Sequence, residues 1–333
     1  MFGLSNTFAL KLDEDYHSLE DYHGKISRWC TGCGDNAILA AVQRLCRDEQ
    51  LPPEKTVFVS GIGCAARFPH YMKTYGFHGL HGRALPTAQG IRIRRPDLHV
   101  FVNMGDGDCC SIGTAHWVHA IRMNMNMVAL LHDNNIYGLT KKQVSPKTPE
   151  GMITNTTPRG AHLKAMNPLG VTLGVTNASF VAQAVEWVPD LLYDIISKAY
   201  QHKGFSFVRI IQRCPHYMPE PFDTLLANPD KLLLLKHENG MQISELVGRL
   251  YKSQLEHDPA DLNRARELVE DEDNVPVGIL YRNENIPCYE DLRKPERIVS
   301  MDHRRAVLEQ AFDKFGIFPQ DSKVTAVESG ERS

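Results

Sequence analysis

Leu98-His99-Val100-Phe101-Val102-Asn103-Met104-Gly105-Asp106-Gly107-Asp108 is the segment from which the architecture can be read. Leu98 to Met104 is an apolar run of strand length, and Gly105 ends it. A second such run, Met127 to Leu131, leads through His132 to Asn134-Asn135. Asp106 and Asn134 are 28 positions apart, and a helix from Ser111 through Asn124 fits between them with that second strand. Both polar loops therefore return to one sheet edge, where ligands of α/β sheets bind. A carboxylate and a side-chain amide oxygen brought together there suit a hard cation such as Mg²⁺. The glycines beside them let backbone N–H groups approach a diphosphate. GDGD and DNN are each good turn sequences, and singly each reads as a turn. The pair, following two strands at this spacing, reads as a diphosphate–Mg²⁺ site.

Outward from this pair the pattern repeats. Thr56 to Ser60 (TVFVS) reads as a buried strand ending in Gly61-Ile62-Gly63, and Phe205 to Ile211 (FSFVRII) as a fourth strand after Gly204. Asp35 to Arg47 places Ile38, Leu39, Val42 and Leu45 on one helical face. Asn177 to His202 reads as two helical segments broken near Pro189. Alternating strands and helices predict an α/β fold, a parallel sheet with helices on both faces. Three segments are expected: an arm over 1–28, the α/β domain over 29–218, and an extension over 219–333 where the pattern degrades. The extension holds the run Leu232 to Leu235 and a charged helical segment near Asp261 to Asp271.

Composition sets the bounds. The 333 residues are 42% hydrophobic and 23% charged, ordinary for a globular chain. Lys plus Arg number 37 against 40 for Asp plus Glu, a net charge of -3 that gives no support to nucleic-acid or polybasic membrane binding. No apolar run approaches the ~18 residues of a membrane span. The N-terminus lacks a basic n-region, so a cytoplasmic location is expected. Eight cysteines in a chain of this length read as thiols or metal-centre ligands, not as a disulfide scaffold.

Trp29-Cys30-Thr31-Gly32-Cys33-Gly34, Gly61-Ile62-Gly63-Cys64, His81-Gly82-Arg83-Ala84-Leu85-Pro86, GDGD, NN, and Tyr137-Gly138-Leu139-Thr140 with Gln143 and Ser145-Pro146 occur in one order. GDGD followed by NN resembles the thiamine diphosphate signature. The whole order resembles the beta subunit of 2-oxoacid:ferredoxin oxidoreductases, over about Trp29 to Tyr217. The resemblance implies Mg²⁺ held by Asp106, Asn134 and the backbone carbonyl of Ile136. It implies thiamine diphosphate contacts from Ile62, Gly63, Cys64, Ala65, His81, Gly105, Gly107, Asp108, Gly138, Leu139 and Thr140. It also implies one 4Fe–4S cluster on Cys30, Cys33, Cys64 and Cys214, the last in Gln212-Arg213-Cys214-Pro215. Two thiolates three residues apart can bind one side of a cluster, with two remote ones closing it. By chemistry alone, four cysteines could equally hold tetrahedral zinc. Cys46, Cys109, Cys110 and Cys288 are left out of the cluster. The departures are local: Cys109-Cys110-Ser111 and Thr114-Ala115-His116 stand where members often have small residues and Gly-Asn-His.

The activity implied is coenzyme A-dependent oxidative decarboxylation of a 2-oxoacid. Electrons pass through the cluster to ferredoxin, and the reaction could also run as CO₂ fixation in a reductive TCA cycle. The best-matching substrate is 2-oxoglutarate, with a pyruvate or broad-range enzyme as the alternative. Arg67 and Lys141, in loops beyond strand ends, are the candidate cations for its distal carboxylate. Arg92, Arg94 and Arg95 read as a solvated helix end. The glutamate that activates thiamine is expected from a separate alpha subunit, and no catalytic residue is assigned in this chain. The expected assembly is (alpha-beta)2. Two other classes stay open: a non-redox thiamine decarboxylase subunit, and a metal-stabilised assembly subunit.

Overall fold

The apolar runs that border Gly61, Gly105 and Asn134 become neighbouring parallel strands. A computed structural model describes residues 16–293 and 300–316. Six strands run parallel: β1 (Thr56–Ser60), β2 (Tyr75–His78), β3 (His99–Gly105), β4 (Met127–Asp133), β5 (Phe180–Val185) and β6 (Phe205–Ile211). Three more, β7 (Leu232–Lys236), β8 (Gln254–Glu256) and β9 (Val275–Arg282), widen the same sheet. The order is β2-β1-β3-β4-β6-β5-β9-β7-β8, with β9 antiparallel to β5.

Every residue of β1, β4 and β5 is buried, because helices cover both faces of the sheet. Alternate strand residues feed two cores. Phe58, Phe101 and Leu130 pack against the helices Asp35–Asp48 and Pro189–Gln201 on one face. Val59, Val102, Leu131 and Phe207 pack against Ala84–Arg94 and Thr114–Met123 on the other, where Trp117 stacks on Phe207 at 5.4 Å.

The register positions the site. Ser60 pairs with Asn103, Gly105 with His132, and Asp133 with Ile211. Gly61, Asp106, Asn134 and Gln212 consequently leave the same edge of four adjacent strands. β2 lies on one side of β1 and β3 on the other, so the chain reverses direction across the sheet there, the kind of crevice that binds ligands.

Several sequence expectations change in the fold. Asn177 to His202 does not hold two helical segments: Phe180–Val185 is β5, and only Pro189–Gln201 is helical, with Pro189 at its first turn. The segment is buried between β6 and β9, which removes the alternation that marks a half-exposed strand. The helix expected from Ser111 is a π-helical turn, Asp108–Ile112, followed by Thr114–Met123. Asn124 closes it at φ 46°, a left-handed cap. Arg92 is not solvated. It is buried, Nε donating to Glu290 Oε1 at 2.9 Å and Nη1 to Leu98 O at 2.6 Å.

The chain divides into two compact units, ending and beginning at Leu292 and Arg293. In the second, the helix Met301–Phe315 is capped by Ser300, whose Oγ accepts from His303 N at 3.2 Å. No described helix is long and apolar enough to cross a membrane.

Candidate active site

β1 ends at Ser60, and the residue after it must be glycine because the Asp108 carboxylate occupies the place of a side chain. A Cβ on Gly61 would stand 2.1 Å from Asp108 Oδ2. That carboxylate is buried and organises the loop ends around it. Its Oδ1 accepts from Gly82 N at 2.6 Å and Ile62 N at 3.2 Å, and lies 2.6 Å from His81 Nδ1. Burial pushes its pKa up against these bonds. With Nδ1 held, Nε2 is the ring nitrogen His81 can offer a ligand. Gly107 is required for a similar reason: its Cβ would stand 2.1 Å from the Tyr137 ring, whose OH donates to Gly107 O at 2.9 Å.

Asp106 is 1% exposed, and Ser145 Oγ donates to its Oδ2 at 2.5 Å. Burial first, and then the nearby Asp133 carboxylate, push its pKa up to about 8. An ionised carboxylate at this depth calls for a cation. Behind it, Asp133 is paired with Arg209 Nε at 2.6 Å and stands 4.0 Å from Lys147 Nζ. Burial, and next the Arg209 charge, pull the Lys147 pKa down. Asn134 Oδ1 accepts from Ile136 N at 3.2 Å, and its Nδ2 donates to Gln212 Oε1 at 3.0 Å, which fixes the amide orientation.

His81, Asp106, Asp108, Asn134 and Tyr137 line one cavity of about 270 Å³. Its walls are Ile62, Gly63, Cys64, Ala65, His81, Gly105, Asp106, Gly107, Asp108, Asn134, Ile136 and Gly138 to Thr140, with Tyr137 and Gln143. A Cβ on Gly63 or Gly105 would meet no atom within 4 Å, so backbone faces open space there. A buried carboxylate, an oriented amide oxygen and bare backbone at glycines form a donor set that fits a hard divalent cation carrying a diphosphate.

Cys64 also belongs to the cysteine group. Its thiol feels Asp35, Cys214 and Cys30, and with burial first its pKa is pushed up to about 12. Burial and Asp35 push Cys33 up too, with smaller effects from Cys64 and Cys214. Gly138 packs on this group: its Cβ would lie 3.6 Å from Cys64 Sγ and 3.9 Å from Cys214 Sγ. Among the described residues, no three His, Cys, Asp or Glu side chains are arranged to hold a single metal ion. The loops carrying the cysteines are tied together. Arg213 grips the buried Glu186 through Nε and Nη2, and Gly34 N donates to Arg213 O at 3.2 Å. Asp35 is fully buried, 2.7 Å from His132 Nδ1.

Arg67 and Lys141 lie outside the cavity lining. Arg67 is half-buried, with Nη1 3.5 Å from Arg28 O and its guanidinium over the Tyr71 ring at 5.8 Å. Lys141 is exposed at φ 67°, just past Leu139 and Thr140. Cys46, Cys109 and Cys110 are buried core residues, and Cys288 is buried beside Glu290. The roles of Ser145 and Gln212 are not legible in the sequence. Each lies within a motif run, which shows where it is but not what it contacts.

Residues 61–210 match the thiamine pyrophosphate enzyme C-terminal TPP binding domain, and 246–297 match the C-terminal region of the pyruvate ferredoxin oxidoreductase beta subunit. The 2-oxoglutarate oxidoreductase subunit KorB of Mycobacterium tuberculosis is 43% identical over 65% of this chain and 58% of its own length. The 2-oxoacid:ferredoxin oxidoreductase subunit beta of Sulfolobus sp is 35% identical over 86% of this chain and 92% of its own. Among solved structures, the 2-oxoglutarate:ferredoxin oxidoreductase of Magnetococcus marinus, with 2-oxoglutarate, coenzyme A and succinyl-CoA bound, aligns at TM-score 0.70 and 32% identity. That alignment covers 93% of this chain and 95% of the other.

Proposed function

The chain belongs to the beta subunits of the 2-oxoacid:ferredoxin oxidoreductases, and on that premise we propose that it holds the thiamine diphosphate, Mg²⁺ and 4Fe–4S centres of a 2-oxoglutarate-oxidising enzyme. The overall reaction is conversion of 2-oxoglutarate and coenzyme A to succinyl-CoA and CO₂, with two electrons delivered to ferredoxin, and strongly reducing ferredoxin would drive CO₂ fixation. The observation that carries the reading is Cys64, which lines the diphosphate cavity and stands among Cys30, Cys33 and Cys214. A redox centre on those thiols would share a wall with the site of decarboxylation. When bound, thiamine diphosphate supplies the electron sink for loss of CO₂, and the cluster accepts the electrons.

This chain's residues bind and orient. Asp106 and Asn134, with the Ile136 carbonyl, would hold Mg²⁺, and Ser145 steadies the Asp106 carboxylate. Asp108 holds His81 against the cavity and keeps Ile62 and Gly82 N–H groups fixed. By the family resemblance the activating glutamate would come from an alpha subunit in an (alpha-beta)2 assembly; among the described residues no glutamate lines the cavity. Arg67 and Lys141 are proposed to meet the distal carboxylate once the alpha chain covers the mouth. An unpaired carboxylate in a closed pocket costs several kcal/mol, so a cation there selects a dicarboxylate over pyruvate.

The test is made on the anaerobically purified alpha–beta complex. Iron and acid-labile sulfide are measured, then coenzyme A-dependent dye reduction with 2-oxoglutarate and with pyruvate. The proposal expects about four irons per chain, following the cluster's stoichiometry, and higher kcat/KM for 2-oxoglutarate. An iron-free active complex would leave the non-redox decarboxylase; a preference for pyruvate would overturn the substrate. An unchanged preference in both Arg67→Ala and Lys141→Ala would remove those two residues from it.

A further inference from the structure

Gln212 is the first residue past β6 and is fully buried. Its backbone N–H donates to Asp133 O at 3.0 Å, which pins it to the edge where β4 gives way to Asn134. Its side chain reaches both halves of the site. Oε1 accepts from Asn134 Nδ2 at 3.0 Å, while Nε2 donates to Cys33 Sγ at 3.3 Å and to Arg213 O at 2.5 Å.

The polarity of this chain of bonds is forced from one end. Ile136 N is a backbone N–H and can only donate, so it selects Asn134 Oδ1 as its acceptor. Asn134 then presents Nδ2, a donor, to Gln212, which must answer with Oε1. That leaves Nε2 facing Arg213 O, which can only accept, and Cys33 Sγ. Neither amide can flip without setting like against like. Such a directed chain polarises along its length, so a charge met at one end is felt at the other.

We propose that Gln212 is a positioning residue that couples the cation–diphosphate site to the cluster. The proposal rests on the reading of Asn134 as a cation ligand and Cys33 as a cluster ligand. Oε1 holds the Asn134 amide so that Oδ1 faces the cation, the work of outer partners around metal ligands generally. The Nε2–H group stabilises charge on the Cys33 sulfur, and hydrogen bonds to cluster sulfurs help set the reduction potential. A cation on Asn134 Oδ1 makes Nδ2–H a better donor, which makes the Gln212 Nε2–H a better donor in turn. Binding of Mg²⁺ and thiamine diphosphate therefore raises the cluster's potential, readying it to take an electron when the cofactor is in place.

Two variants in the assembled complex separate the two contacts. Gln212→Met keeps the length and removes both hydrogen bonds; Gln212→Glu keeps an acceptor for Asn134 and, when ionised, sets a carboxylate oxygen in place of the donor to Cys33 and Arg213 O. Potentials are read by redox titration of the cluster's paramagnetic signal, with and without Mg²⁺–thiamine diphosphate. Cofactor affinity is read by calorimetry. Gln212→Met is expected to lose about 10–100-fold in affinity for Mg²⁺–cofactor, to have a lower potential, and to show no potential shift on cofactor binding. Gln212→Glu is expected to keep most of the affinity while the potential falls. If Gln212→Glu loses as much affinity as Gln212→Met, or if both match the wild type in potential and affinity, the coupling is refuted. A wild-type complex with no iron or no cofactor binding would instead overturn the function itself, and the coupling with it.

Discussion

Replacing Gly61 by Ala puts a methyl group into the Asp108 carboxylate. The new Cβ would lie 2.1 Å from Oδ2 and 2.4 Å from Oδ1, so the carboxylate must retreat by roughly 0.9 Å to clear even 3.0 Å. A shift of that size carries the 3.2 Å bond from Ile62 N out of hydrogen-bond range and strains the two at 2.6 Å. Losing one charge-assisted bond costs about 1.5–3 kcal/mol and overpacking about 1–3 kcal/mol, so the variant should lose about 3–5 kcal/mol. In a unit this large that is a drop in Tm of about 10 °C. Gly105→Ala is the matched control, because its Cβ meets no atom within 4 Å yet Gly105 lines the cavity. It should unfold within about 0.5 kcal/mol of the wild type while losing thiamine diphosphate affinity, since its methyl enters the ligand's space. Thermal unfolding and calorimetric titration of both variants check this. Gly61→Ala with wild-type Tm and affinity, or Gly105→Ala with the larger Tm loss, would refute the packing argument.

Cys30→Ser, Cys33→Ser, Cys64→Ser and Cys214→Ser should each lower iron and sulfide content, while Cys46→Ser leaves it unchanged; two or more of the four retaining a full cluster would break the ligand set. Asp106→Ala should abolish retention of Mg²⁺–thiamine diphosphate in the complex, measured by calorimetry, because the proposed cation would lose its charged protein ligand. His202 is buried, lies 2.9 Å from Ser179 Oγ, and burial followed by the Arg282 charge pulls its pKa down from 6.5 to about 4. The unfolded chain then binds the extra proton, so this contribution is whole above pH 6.5 and is lost as pH falls to 4. At ~1.4 kcal/mol per pKa unit it is worth about 3 kcal/mol, and His202→Gln should flatten the fall in Tm between those pH values. Gly90→Ala, in the helix Ala84–Arg94 with nothing within 4 Å of the new Cβ, should stabilise the fold by about 0.5–1 kcal/mol, seen as a raised Tm.

Reading the residues alone was enough for the sheet's centre and for the groups at its edge. TVFVS, LHVFVNM, MVALL and FSFVRII are strands within two residues of where their apolar runs lie. Strands buried on both faces read as near-continuous apolar runs, and here glycine or a polar pair follows each where the backbone leaves the sheet. GDGD and NN were therefore legible, and so was the α/β class. The rest came only with packing. FVAQAV could be helix or strand by composition, and only its place between β6 and β9 made it a strand. Arg92 looked like a surface cation until Glu290, 198 positions later, folded back onto it. Gln212 stands two residues before Cys214 in the sequence, but nothing there says what its side chain contacts. The register that sets Asp133 beside Ile211 carries it to both Asn134 and Cys33. Periodicity records what a residue does within its own element. A partner 78 or 179 positions away leaves no local trace, because sheet pairing brings the two together only once the whole chain has packed.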